Sequence, residues 1–273
     1  MTAETIAALV RRADPDRYLA TLFAPADKRP LLHALYAFNI ETARVADTVR
    51  EPMMGEIRLE WWRETLAGAR EGRPRNHDVA RALAKMFAAV SLPQEWFEAM
   101  VAARAFDSSS DMFADRPAVE AHCDATSGNL MRLAARILGQ ENDALAREAG
   151  IAYALAGILR SIPHHTARHK TFLPQSLMQS VGLSKDALFV SHERDKVRAV
   201  VAQMAIWARE HLTAARAQRT GSAELAAYLP AALVPLFLRR VARRGFDPLH
   251  HSPDVPIHRR QMRLLAAAMR RRI

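Results

Sequence analysis

The 273-residue chain has one cysteine, Cys123, and only ten glycines. A lone cysteine excludes an intramolecular disulfide framework and a cysteine-based zinc site, and it fits a reducing compartment. Scarce glycine argues against a turn-rich all-β sandwich or barrel. Long apolar runs are also missing. The stretch 225–238 is interrupted by Pro230 and Pro235 and falls short of the roughly 20 residues that cross a bilayer. The opening residues, Met1-Thr2-Ala3-Glu4-Thr5, show no basic region followed by an apolar run, so no signal peptide is expected. No stretch alternates as a strand would, and no repeat of fixed period occurs. The expectation is a cytoplasmic protein, at most peripheral on the inner membrane.

Half of the chain is hydrophobic and a quarter is charged, enough for a sizeable core. Lysine and arginine number 39 against 29 acids. Most of that excess lies in 239–273, which holds ten arginines and two aspartates. Such a patch faces solvent or an anion; nucleic acid, an anionic bilayer and an acidic protein are the candidate partners. Nucleic acid is disfavoured, because the tail has no aromatics and matches no known module.

Helical periodicity dominates. Leu31, Leu35, Phe38, Thr42, Val45 and Val49 step by three and four along one stripe of a helix over 30–50. Ile57, Trp61, Thr65 and Leu66 continue the pattern over 55–69. Further helices are expected at 78–90, 93–106, 117–138, 141–162, 174–182, 193–219, 222–243 and 257–271. Asp115 before Pro117 marks a start, Gly139 a stop, and Pro163 the end of another helix. The reading is all-α, a single domain over 1–273. The segments 107–115 and 245–256 are its flexible parts, and the second leads to a basic C-terminal helix over 257–272.

Two segments carry candidate chemistry. In 35–47, Tyr36, Ile40, Ala43 and Asp47 share a face at steps of four, three and four, with Asn39 and Arg44 nearby. The segment 154–174 begins as a small-residue helix containing Gly157 and ends in Arg160, Ser161, His164, His165, Arg168, His169 and Lys170. Arg160, Arg168 and Lys170 can bind an anion, or pair with Glu41 and Asp47. Adjacent His164 and His165 diverge on a helix and do not readily chelate one metal. The looser group His250, His251 and His258 reads the same way. Asp107 and Asp111, four apart around a serine run, are either a metal pair or a loop with a capping aspartate. Glu56, Glu60 and Glu64 are expected to pair with arginines such as Arg58 and Arg63. Trp61 and Trp62 cannot share a helix face, so one packs inside and the other lies near a cavity or contact.

These segments resemble the squalene/phytoene synthase family. Tyr36-Ala37-Phe38 and Asp47 match its first motif, Arg160 and Leu173-Pro174 its second, and 55–62 an intervening segment. The resemblance implies an all-α isoprenoid-synthase bundle around a central cavity. In that family, facing aspartates hold Mg²⁺ that binds a prenyl diphosphate; Mg²⁺ takes oxygen ligands from carboxylates and phosphates. Here the matching positions are Ala43, Asp47, Ser161 and His165, with Arg44 in place of a further aspartate. Glu41 does not compensate: six residues at 3.6 per turn turn it about 120° from Asp47. Loss of carboxylates and gain of a guanidinium should repel Mg²⁺.

The segments 159–174, 37–41, 55–62 and 236–248 are similar to one branch of the family, the assembly factors of respiratory complex I and their bacterial relatives. That likeness implies a non-catalytic protein acting with complex I subunits or assembly intermediates, with no cofactor. A prenyl transferase with an altered site, using Mg²⁺ and an isoprenyl diphosphate, and an isoprenoid- or lipid-binding protein without turnover remain the alternatives. The ligand residues expected are Tyr36, Asn39, Ala43, Arg44, Asp47, Gly157, Arg160, Ser161, His164, His165, Arg168 and Lys170. In the last helix, Arg259, Arg260, Arg263, Arg270, Arg271 and Arg272 flank a thin row of Met262, Leu265 and Met269 and form a partner or membrane surface.

Overall fold

A computed structural model describes residues 3–49, 51–109, 111–190, 193–218 and 224–273. Among these residues there is no strand. The helices run α1 (Ala3–Ala13), α2 (Pro15–Thr21), α3 (Arg29–Ala43), α4 (Val45–Thr48), α5 (Pro52–Arg70), α6 (Asp78–Ala89), α7 (Gln94–Ser108) and α8 (Arg116–Cys123). A π turn, Asp124–Gly128, joins α8 to α9 (Asn129–Ile137). Then come α10 (Asp143–Thr166), α11 (Gln175–Ser180), α12 (Lys185–Phe189), α13 (Arg194–Ala217) and α14 (Leu225–Tyr228). A 3₁₀ turn, Leu229–Leu233, leads into α15 (Val234–Val241), and α16 (Ile257–Met269) closes the described chain. Buried apolar residues from α1 to α16 form one contiguous core.

Local chemistry explains most boundaries. Asp14, Asp115, Asn142 and Ser184 cap α2, α8, α10 and α12, each side chain accepting from a backbone N–H three residues on. Pro15, Pro52 and Pro117 sit at first or second helical positions, where a missing N–H costs nothing.

Four expectations need correction. The helix over 30–50 is two, breaking at Arg44. Thr42 Oγ1 donates to the carbonyls of Phe38 and Asn39 at 3.0 and 3.2 Å, the back-bonding that bends helices. Pro163 does not end α10, which runs on to Thr166; the chain turns at His169, whose φ is +53°. Asp107 and Ser108 are not in a loop, since α7 extends through both and buries them. Nor does 245–256, expected to be flexible, stand free of the body. Asp247 is buried against Arg194 and His250, Val255 is buried, and Asp254 pairs with Arg160. Ser110, within the expected serine-rich loop, and 219–223, within the junction of two expected helices, lie outside the described residues.

The central helix α10 packs along α13 and crosses the π turn at very close range. A Cβ on Gly150 would stand 2.5 Å from Gly128 Cα, so two glycines allow backbone to meet backbone. Further along α10, a Cβ on Gly157 would meet nothing within 4 Å. The same helix is thus pressed against a neighbour at one end and bordered by open space at the other.

A cavity with two of its acids paired

That open space is a cavity of about 580 Å³. The end of α3, α4 and the start of α5 form one side through Ala43, Asp47, Val49 and Glu51. Opposite stand Gly157, Ile158, Ser161 and His165 of α10, with Arg168, Lys170 and Phe172 of the following segment. Arg104, Asp107 and Ser108 of α7 and His122 of α8 complete the wall. A smaller void of about 190 Å³ shares Arg104, His122, Gly157 and Ile158 and reaches Asn39, Arg17 and Tyr153. Ala43, Asp47, Ser161 and His165, read from separate segments, face this one space.

Most of its charged side chains are engaged within the protein. Arg168 Nη1 pairs with Asp47 Oδ1, Arg168 Nη2 donates to the Asp47 carbonyl at 3.3 Å, and His164 Nε2 lies 3.2 Å from the same carboxylate. This trio is about half exposed, at the rim. Deeper in, Arg104 Nη1 donates to Asp107 Oδ2 at 2.9 Å and Nη2 to Asn39 Oδ1 at 3.2 Å. Lys170 Nζ donates to the Asp107 backbone carbonyl at 2.6 Å. His122 Nε2 stands 3.3 Å from Asp107 Oδ1.

Both cavity imidazoles are held neutral. Burial, reinforced by His164, lowers the pKa of His165 to about 4, against a weaker pull from Asp107 and Asp47. Burial also lowers His122, partly offset by Asp107. One wall is aromatic: Phe172 packs edge-on to His165 at 4.5 Å and near Phe113, which stacks on Phe106. Arg104 Nε, Asp107 Oδ1 and Ser108 Oγ are buried without a hydrogen-bond partner in the protein. A lining with an aromatic wall and three unmet polar atoms suits a ligand with both apolar and polar parts.

Among the described residues, no group of three or more His, Cys, Asp or Glu side chains is arranged to hold a metal ion. Asp107 and Asp111 do not form a metal pair: the first is buried against Arg104 and the second is exposed. His164 and His165 diverge, one to the rim and one to Phe172.

Several residues expected in the site are placed elsewhere. Arg160 points to the far side of α10, pairing with Asp16 at 3.4 Å and Asp254 at 3.2 Å and stacking over Phe237. It therefore does not join Arg168 and Lys170 in an anion cradle. Arg44 is exposed and outside the lining. Tyr36 is buried beneath the Arg17 guanidinium, 5.9 Å from its ring, and borders neither void. Asn39 borders only the smaller one. Arg17, Arg104, His122 and Phe172 were not legible as site residues. Asp14-Pro15 is a helix-start signal that would have found α2 and so Arg17; Arg104 and His122 lie on helices whose inward phase is set by packing alone, and Phe172 lies in the irregular segment between α10 and α11.

Arg260 also departs from the expected surface, donating to Asp16 Oδ1 at 2.7 Å with little exposure. Trp62 is buried and packs edge-on to Phe38, whereas Trp61 borders an apolar groove with Met54 and Ile57. Arg63 pairs with Glu60, and Glu64 with Arg75.

A family model described as squalene/phytoene synthase matches residues 10–261. Complex I assembly factor 6 of Homo sapiens is 29% identical over 249 residues, covering 89% of this chain and 75% of that protein. Presqualene diphosphate synthase of Rhodopseudomonas palustris is 28% identical over 173 residues, covering 61% of each. A dehydrosqualene synthase crystallised with a ligand superposes with a TM-score of 0.85 at 19% identity, over 98% of this chain and 95% of that one. At that identity the likeness is one of fold.

Proposed function

The chain belongs to the squalene/phytoene synthase family, and from that membership we propose that it acts in the assembly of respiratory complex I without turning over a prenyl diphosphate. The assembly role is supported by likeness, over most of the chain, to proteins named as assembly factor 6 from several animals and an amoeba. One observation carries the non-catalytic reading. Four positions that match metal-site aspartates in the family's transferases face a single cavity, and only Asp47 is acidic. Its carboxylate is held by Arg168 and faces His164. Mg²⁺ needs several oxygen ligands, and a diphosphate supplies only part of the set. Of the other carboxylates that line the cavity, Asp107 is held by Arg104 and Glu51 lies outside the four matching positions, so the set fits that demand poorly.

The residues retain other work. Arg168 ties the segment after α10 to α4, and Lys170 ties it to α7, so the rim is fixed from two sides. The unmet polar atoms of Arg104, Asp107 and Ser108 favour a second feature of the same reading: an isoprenoid or other lipid held without turnover. Copurified lipid seen by mass spectrometry would support it; a cavity that stays lipid-free would not.

The deciding experiment deletes the gene and measures assembled complex I on native gels. Loss of the complex, restored by the gene in trans, is expected, with squalene and carotenoid levels unchanged. Intact complex I would overturn the assembly role. Robust diphosphate release from farnesyl or geranylgeranyl diphosphate with Mg²⁺ would overturn the non-catalytic reading.

A further inference from the structure

The C-terminal helix α16 is fastened to the body by one face and shows solvent a face of different chemistry. Leu264 and Ala267 are buried, Arg260 reaches Asp16, and Arg263 Nε donates to the Ala232 carbonyl at 2.9 Å. On the outer side, Met262, Leu265 and Met269 follow at steps of three and four, exposed by 65, 43 and 77%. With 100° per residue, the three fall within about 60° of one another. Arg259, Arg263 and Arg270 fall within about 40° of one another, on the flank between the buried face and this outer row.

Other helices extend the basic flank. Burial, then the neighbouring Arg239 and Arg270, lowers the Arg263 pKa; burial, then Arg263 and Arg272, lowers Arg216. Guanidinium groups from α13, α15 and α16 are therefore gathered close enough to repel one another. Among the described residues, no Asp or Glu side chain forms an ion pair with Arg216, Arg239, Arg259, Arg263, Arg270, Arg271 or Arg272. Elsewhere in the molecule arginines are widely paired, from Arg17–Asp14 to Arg168–Asp47.

An outward apolar row beside arginines without an Asp or Glu partner is the pattern of a helix lying in a membrane interface, apolar side down and cations at headgroup level. Arginine suits phosphate headgroups because its planar fork donates in pairs. The apolar row is three side chains wide at most, far less than the roughly 800 Å² per partner of a stable protein interface. A fluid bilayer accepts such a row without a matching pocket. We propose that α16 and its arginine flank form an interfacial surface for an anionic bilayer, with Met262, Leu265 and Met269 entering the headgroup boundary and Arg259, Arg270 and Arg272 meeting lipid phosphates. No helix among the described residues is long and apolar enough to cross a membrane, so this surface would attach the protein without spanning.

The test is flotation of the full-length protein with phosphatidylcholine vesicles, with and without phosphatidylglycerol. Binding is expected only with the anionic lipid, and it should weaken as salt rises. Two triple variants, Arg259→Gln/Arg270→Gln/Arg272→Gln and Met262→Ser/Leu265→Ser/Met269→Ser, should each bind at least about tenfold more weakly with unchanged circular dichroism, since each cation near an anionic surface and each apolar side chain immersed contributes measurably. A nitroxide on Leu265→Cys, with the buried Cys123 unlabelled, should gain oxygen accessibility on vesicle addition; this reads insertion even if a triple variant misfolds. No binding to anionic vesicles, equal binding to neutral ones, wild-type binding by both variants, an unchanged nitroxide, or capture by soluble polyglutamate without vesicle binding would each overturn the proposal. None of these measurements involves complex I, so the proposal and the assembly role fail separately.

Discussion

Gly150 and Gly157 stand seven residues apart on α10 and should respond oppositely to the same change. Gly150→Ala forces a Cβ to within 2.5 Å of the Gly128 backbone, which cannot swing aside as a side chain would. A loss of about 1–3 kcal/mol is expected in urea unfolding. Gly157→Ala adds a methyl to open cavity and gains helix propensity, so it should be neutral or stabilising by up to about 1 kcal/mol. Equal destabilisation by both would mean that the cavity beside Gly157 is closed in solution. His165 gives a second residue-level expectation. Its folded pKa of about 4 lies below the ordinary histidine value near 6.5. Between those values the unfolded chain binds the extra proton, so its contribution to stability is complete above about pH 6.5 and is lost as pH falls towards 4. His165→Gln should flatten the stability profile in that window by about 1–3 kcal/mol, with His122 supplying part of the slope that remains. A profile unchanged by the substitution would show that His165 is solvated.

Between elements, one buried carboxylate fastens three helices. Asp16 of α2 accepts from Arg160 of α10, Arg260 of α16 and the Tyr153 hydroxyl. Burial raises its pKa despite the two arginines, so the ion pairs only partly offset the cost of desolvation. Asp16→Ala strands the Arg260 guanidinium, leaves Arg160 with Asp254 alone, and should cost about 3–5 kcal/mol. It should also expose α16 to limited proteolysis before the body unfolds; simultaneous loss of both would show that α16 is not separable. This clasp marks the limit of what the sequence disclosed. Periodicity located most helices, because a three-and-four stripe is a local property. It missed α1, α2 and α12, which are short or lead the chain, and it joined α3 to α4 because a threonine's back-bonding leaves no mark in hydropathy. Ala43, Asp47, Ser161 and His165 were recognisable by motif and do share the cavity. Arg160 was expected in the cavity by motif and Arg260 at the surface by charge; both were misplaced because neither signal shows that a buried acid from another helix meets them. Nothing near Asp16 in the chain advertises that it will be buried.

At the scale of the whole molecule, the proposed reading separates fold from chemistry. The helical frame superposes on a dehydrosqualene synthase over nearly its full length, while Asp47 at the cavity rim is held by Arg168. On the proposed reading Asp47 is a structural tie rather than a metal ligand, and the two roles predict different behaviour in the cell. Asp47→Ala removes a half-exposed ion pair worth about 0–1 kcal/mol, so the protein should accumulate normally. Introduced into a deletion strain, it should restore assembled complex I to the wild-type level on native gels. Arg168→Ala should do the same, because it breaks the same tie from the other side. If assembly instead required diphosphate chemistry at this position, Asp47→Ala would fail to restore the complex although its abundance matched wild type on immunoblots. Failure of Asp47→Ala alone, with Arg168→Ala active, would restore a ligand role to that carboxylate. Failure of both at normal abundance would place the function in the geometry of the rim that the pair holds closed.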